Sequence, residues 1–179
     1  MDEFRENIWA PWRMEYIHSL AGSDGPGCFL CDYRDHPGDD AANHVVWRTD
    51  ETIVVMNRFP YTNGHLLIAP CSHKGDLDDV DDREMQCLWW MTRDAKRLLA
   101  NALGPHGFNI GMNFGRCAGA GLPEHLHIHI VPRWNGDTNF MAVLGDVRVV
   151  PQSLDRLWQR LREVSVELSL PGSPDGSEA

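Results

Sequence analysis

Residues 125–131 read His-Leu-His-Ile-His-Ile-Val. Histidine alternates with an apolar residue through His125, His127 and His129, with Leu126, Ile128 and Ile130 following them in turn. Successive side chains of a β-strand point to opposite faces. The spacing therefore predicts a strand that turns three imidazoles to one face and an apolar row to the core. A row of imidazoles adds nothing to a core, and histidine is too uncommon for a merely solvated face to be the natural account. The pattern points to chemistry. His-x-His on a strand chelates a metal ion well. A neutral imidazole is also a competent nucleophile near neutral pH, and a hydrogen bond at one ring nitrogen leaves the other defined.

The glycine-rich stretch Gly115–Gly121 (GRCAGAG) leads into the histidine strand. Glycines such as Gly119 and Gly121 let backbone N–H groups approach an anion closely, although a flexible hairpin connection explains them equally well. GFNIGMN at 107–113 reads as the preceding strand. Before it, the spacing predicts the one long helix, over roughly 81–103. Asp81 and Asp82 favour its first turn, Gly104-Pro105 ends it, and Met85, Leu88, Trp89, Thr92, Ala95 and Leu99 make an apolar stripe. HLLIAP at 65–70, TIVVMN at 52–57 and HVVWR at 44–48 are further strands, the last two joined by a hairpin at Thr49-Asp50-Glu51. Residues 34–43 read as a solvated loop, and 152–169 as a C-terminal helix. The strands follow one another without crossover helices, so the fold class is α+β: an antiparallel sheet of about five strands, one long inserted helix and a C-terminal helix.

The chain carries 16 Lys and Arg against 26 Asp and Glu, a formal net charge of −10. That balance argues against a nucleic-acid backbone as the main partner, which calls for clustered Lys and Arg. A small nucleotide held by backbone N–H groups and histidines stays compatible. The N-terminus, MDEFRENIWAPWRMEYI, places acids where a secretion signal needs cations, and no apolar run reaches the length of a membrane span. The odd set of five cysteines (Cys28, Cys31, Cys71, Cys87 and Cys117) suggests reduced thiols and a cytoplasmic address. Cys28-Phe29-Leu30-Cys31 has the spacing of a thiolate pair on one tetrahedral ion, but also that of a redox pair or of two thiols in a turn.

The heptad resembles the signature of the histidine-triad superfamily. GHLLIAP, with His65, is similar to that family's fourth-histidine strand, and Asn57 stands eight residues before His65, where the family has a ribose-contacting asparagine. The resemblance covers about residues 28–140; WAPWRMEYI and PRWNGDTNFM look like a bacterial subgroup similar to diadenosine tetraphosphate phosphorylases. It implies the fold of that family and a nucleotidyl hydrolase or transferase. His127 would be the nucleophile at an α-phosphate, His129 a donor to phosphate oxygens, and His65 and His125 members of the same cluster. Asn57, Asn113, Gly119 and Gly121 would bind substrate. One departure is Leu122, five residues before His127, where many members carry Ser or Thr. Several members also bind zinc, and the resemblance puts the ligands at Cys28, Cys31, His73 and His125, a closed set that fits a structural ion.

The expected reaction is cleavage of diadenosine polyphosphates by water or phosphate through a nucleotidyl-histidine. The alternatives are a phosphoramidase of the same superfamily, a hydrolase whose histidine triad holds a catalytic metal, and a binding module without turnover. The resemblance implies a homodimer, with the adjacent Trp89 and Trp90 as one candidate surface. Trp134 and Phe140 are candidates for the base pocket. The expected organisation is an aromatic-rich extension over 1–27, a catalytic domain over 28–150, a helix over 151–169 and a disordered tail over 170–179.

Overall fold

The computed structural model describes residues 27–137 and 152–171. The aromatic-rich extension (apart from Gly27), Phe140, and most of the expected C-terminal tail lie outside the described residues. Strands β1 (Val45–Arg48), β2 (Thr52–Met56), β3 (Leu66–Pro70), β4 (Gly107–Met112) and β5 (Ile128–Arg133) form one five-stranded sheet in the order β1-β2-β3-β5-β4. Every neighbouring pair is antiparallel. The helices are α1 (Phe29–Asp35), the short α2 (Asp40–Asn43), α3 (Asp82–Leu103) and α4 (Leu154–Glu167).

Alternation along the strands divides the core in two. Val46, Val54, Leu66, Ile68, Leu126, Ile128 and Ile130 pack under α3 and α4. Their neighbours Val45, Ile53, Val55, Leu67 and Ala69 face the other way, onto Leu30 and Tyr33 of α1. β2 and β3 are thus buried on both faces, which explains their unbroken apolar runs. Helix α1 covers only the β1–β3 half. The same face of β5 and β4 carries His129 and Gly111, which sit opposite each other. β5 enters between β3 and β4 because its apolar row needs neighbours on both sides, whereas the half-exposed β4 suits an edge. Pro132, which has no N–H, stands past the end of the β3 ladder, where β5 pairs with β4 alone.

Helix α3 starts on a capping box between Asp81 and Glu84 and ends at Gly104 in the left-handed region. Its buried face is Glu84, Leu88, Met91, Thr92, Asp94, Ala95, Leu98 and Leu99. Trp89, expected on the apolar stripe, points outward and is 53% exposed; Trp90 is 52% exposed. Each residue turns the helix by about 100°, so once Leu88 and Met91 face the sheet Trp89 cannot. Helix α4 inserts Leu157, Leu161 and Val164 into the same core, and the Trp158 indole N–H donates to the Val45 carbonyl at 2.7 Å.

Two local expectations are corrected. The 34–43 stretch is no plain solvated loop: it holds the end of α1, a 3-10 turn at Pro37–Asp39 and α2. Asp40 pairs there with Arg48, whose guanidinium also donates to the Tyr33 and Arg34 carbonyls. The histidine strand starts at Ile128 rather than at residue 125. Before that point the chain leaves β3, because the Leu126 N–H bonds to the Lys74 carbonyl at 2.6 Å. The alternation of faces survives: Leu126 stays in the main core while His125 and His127 do not join it.

Candidate functional site

The expected site residues separate into two clusters that share one backbone. The first runs across the half of the sheet that α1 does not cover. Tyr61 N–H donates to His65 Nδ1 at 3.1 Å, and the Asn57 amide nitrogen lies 3.3 Å from the same atom. His65 Nδ1 is therefore an acceptor, and in the neutral ring the proton sits on Nε2. His65 Nε2 lies 2.9 Å from His129 Nδ1, so it donates there. That leaves the proton of a neutral His129 on Nε2, 3.4 Å from the Asn113 side-chain amide. The order of donors thus makes His129 Nε2–H a defined donor on the site side. Tyr61 closes over the pair, its ring centroid 4.6 Å from that of His65 and 6.0 Å from that of His129.

His127 stands beside this relay, with its ring 4.9 Å from that of His129. Its Nδ1–H donates to the His125 carbonyl at 2.8 Å, which leaves the lone pair on Nε2. Burial pushes its pKa below the usual histidine range, and the carbonyl contact only partly opposes this. The ring is consequently neutral near pH 7, the form a nucleophile needs.

The second cluster is built from Cys28, Cys31, His73 and His125, whose ligand atoms all lie within 4.8 Å of one another. Cys28 caps α1, so that its first turn presents both thiols on one side. His125 Nδ1 is 3.0 Å from Cys28 Sγ and 3.5 Å from Cys31 Sγ, and His73 Nδ1 is 3.3 Å from Cys31 Sγ. Ligands on a tetrahedral zinc, with bonds of about 2.3 Å to sulfur and about 2.0 Å to nitrogen, stand about 3.6 Å apart, close to this arrangement. The donor chemistry fits as well. His125 Nε2–H donates to the Pro70 carbonyl at 2.9 Å, so its Nδ1 lone pair faces the thiols. Burial holds His125 neutral, with its pKa pushed down to about 4, and pushes the Cys28 thiol up to about 11. A divalent cation is what would make thiolates favourable in such a place. The triad histidines do not converge on one point: His125 turns to the cysteines, while His127 and His129 do not. Among the described residues, this is the one group of Cys, His or acidic side chains arranged to hold a metal.

In the glycine-rich loop, Gly119 adopts a φ of 89° and closes the turn Arg116–Ala118. Its N–H donates to the Arg116 carbonyl at 3.0 Å. Gly121 is half-buried on the approach to His125. Leu122, where a side-chain donor was the family expectation, packs instead on the small core with Cys28 and Phe29. Sequence reasoning did not find Tyr61, nor the Pro70 and His125 carbonyls. Tyr61 acts partly through its main chain, and a carbonyl carries no residue-type signal.

This sheet, with a histidine strand in its interior and a fourth histidine at the start of the neighbouring strand, points to a family, and the HIT domain family model matches residues 39–136. The chain belongs to the HIT domain family. It is 37% identical over 153 residues to the AP-4-A phosphorylase of Mycobacterium tuberculosis (strain H37Rv), covering 83% of this chain and 78% of that protein. Over 95 residues it is 30% identical to the asymmetrical bis(5'-nucleosyl)-tetraphosphatase of Schizosaccharomyces pombe, covering 53% and 52% of the two chains. Among solved structures, a Zn-bound histidine triad family protein from Mycobacterium smegmatis superposes with a TM-score of 0.64 at 26% identity, covering 79% of this chain and 95% of that one. Among the described residues, no helix is long and apolar enough to cross a membrane.

Proposed function

We propose that this HIT-family nucleotidyl hydrolase or transferase cleaves diadenosine polyphosphates at an α-phosphate, through a covalent nucleotidyl-His127. One observation carries the reading: the His125 carbonyl holds His127 Nδ1–H at 2.8 Å and leaves Nε2 as the free nucleophile. Attack forms the Nε2–P bond, and the bond from phosphorus to the leaving nucleotide's oxygen breaks with its electron pair. The positive charge gained by the ring faces the His125 carbonyl. An acceptor oxygen, from water or inorganic phosphate, then bonds to phosphorus and loses its proton, and Nε2 departs with its pair. His129 Nε2–H steadies a phosphate oxygen, and His65 fixes the tautomer of His129. Asn57 binds the ribose, Asn113 the phosphate, and Gly119 and Gly121 shape the loop beside it. The AP-4-A phosphorylase and tetraphosphatase relatives support this substrate class.

Cys28, Cys31, His73 and His125 would hold a structural zinc, as the Zn-bound histidine triad protein supports. Such an ion supplies a cross-link between the start of α1 and the His125 backbone. The His125 carbonyl then holds His127 from a fixed place. Pairing as a homodimer belongs to the same reading; the edge strand β4, with Ile110 42% exposed, and Trp89 and Trp90 are the surfaces it would use.

Product analysis on diadenosine tetraphosphate, with and without inorganic phosphate, tests the reaction. ADP and ATP formed only with phosphate mark a phosphorylase; AMP and ATP formed without it mark a hydrolase. No cleavage in either condition directs the search to adenosine phosphoramidates. His127→Ala and His127→Asn are expected to bind nucleotide and turn nothing over, and retained turnover in either would refute the mechanism.

A further inference from the structure

We infer that Glu84 is a positioning residue: its carboxylate clamps the strap 72–75 so that His73 meets the cysteines and the chain around Leu126 carries His127 into place. The inference rests on reading Cys28, Cys31, His73 and His125 as metal ligands and His127 as the reacting group.

Glu84 sits in the first turn of α3 with its side chain 11% exposed. The capping box uses one of its oxygens, Oε2, which accepts from Asp81 N–H at 3.0 Å. A helix cap needs no more than that. Yet Oε1 also accepts from Ser72 Oγ at 2.6 Å, and Oε2 from Lys74 Nζ at 2.5 Å. Ser72 and Lys74 flank His73. With both neighbours tied to the helix, the His73 ring projects the other way and meets Cys31 Sγ at 3.3 Å.

The same strap then holds the histidine segment. The β3–β5 ladder ends at Ile68 opposite Ile128. Beyond it the Lys74 carbonyl takes over, accepting from Leu126 N–H at 2.6 Å, between His125 and His127. Gly75 presses on the turn before them: a Cβ added there would lie 2.8 Å from the Pro123 carbonyl oxygen. One carboxylate therefore fixes, through two side chains, both the fourth metal ligand and the backbone on which the reacting imidazole is mounted.

The test uses the full chain loaded with one equivalent of zinc, with metal release followed by a chromogenic chelator, and with kcat and KM measured on diadenosine tetraphosphate. Glu84→Ala removes the clamp and the cap together. The double variant Ser72→Ala/Lys74→Met removes the two arms and leaves the cap intact, so it separates strap from helix. Both are expected to release zinc about 10-fold faster or more, and to lower kcat with little change in KM. Glu84→Gln keeps one acceptor oxygen, for Ser72 or for Asp81 and Lys74 but not for both sides, and is expected between them and the unaltered chain. Release at the unaltered rate in the double variant would overturn the clamp, whatever the stability of Glu84→Ala. A parent chain that takes up no zinc overturns the metal reading and the clamp with it. That failure shows in the metal content before any substitution is made.

Discussion

Gly64→Ala is expected to damage both stability and turnover, and Gly104→Ala to damage stability alone. Gly64 precedes His65 and has a φ of 81°. A Cβ there would lie 2.5 Å from Leu103 Cδ1, 3.2 Å from Leu99 Cδ2 and 3.3 Å from Pro132 Cγ. Gly104 ends α3 at a φ of 56°, and a Cβ there would meet nothing within 4 Å. An L-residue in the left-handed region costs about 1–2 kcal/mol, a term common to both variants. Leu103, half-buried at the helix end, can swing aside. The fully buried Leu99 and the proline ring cannot, so crowding adds about 1–2 kcal/mol, the low end for overpacking. Gly64→Ala should then lose about 2–4 kcal/mol and Gly104→Ala about 1–2 kcal/mol. Urea unfolding of the two variants measures the difference, and for a chain of this size Gly64→Ala should melt about 4–16 °C below the unaltered chain. Displacement at residue 64 also pulls His65 Nε2 from its 2.9 Å contact with His129, so kcat should fall in that variant. Stabilities equal to within about 0.5 kcal/mol would refute the crowding argument. Equal turnover would refute the link between this turn and the relay.

Removal of the proposed zinc by a chelator should be slow, should lower the melting temperature, and should reduce activity in step with metal loss; an immediate and reversible stop on adding chelator would instead place the metal in the chemistry. Burial alone would raise the Glu84 pKa, but Lys74, Ser72 and the Asp81 N–H outweigh it and hold it at about 2, against 4.5 for a free Glu. A carboxylate lowered in the folded state contributes stability above pH 4.5 and loses it as the pH falls from 4.5 towards 2. At this partly solvated rim the contribution is about 1–2 kcal/mol after screening. Chemical unfolding of the parent should therefore fall more steeply across that window than unfolding of Glu84→Gln, and identical acid limbs would contradict the pairing. Leu161→Ala, at a fully buried position of α4, should cost about 2–5 kcal/mol in a single unfolding transition. Two separate transitions by calorimetry would show that α4 is not part of the common core.

Local regularities were legible in the chain itself. The alternation through His125, His127 and His129 sets which side chains share a face. Asp81 and Gly104 bound α3 to within a residue, and the pairing of Cys28 with Cys31 marks a metal candidate. Each of these rests on periodicity or on a cap, physical effects that span one turn of helix or a few residues of strand. The remaining features depend on contacts between residues far apart in the chain. Competition for burial put β5 between β3 and β4 and turned Trp89 outward. It also split the triad, sending His125 to the cysteines while His127 and His129 line the sheet beside His65. The contacts that set the imidazole tautomers come from the His125 and Pro70 carbonyls and the Tyr61 N–H. Every residue but proline carries both of those groups, so only the path of the folded backbone determines which imidazole each one meets.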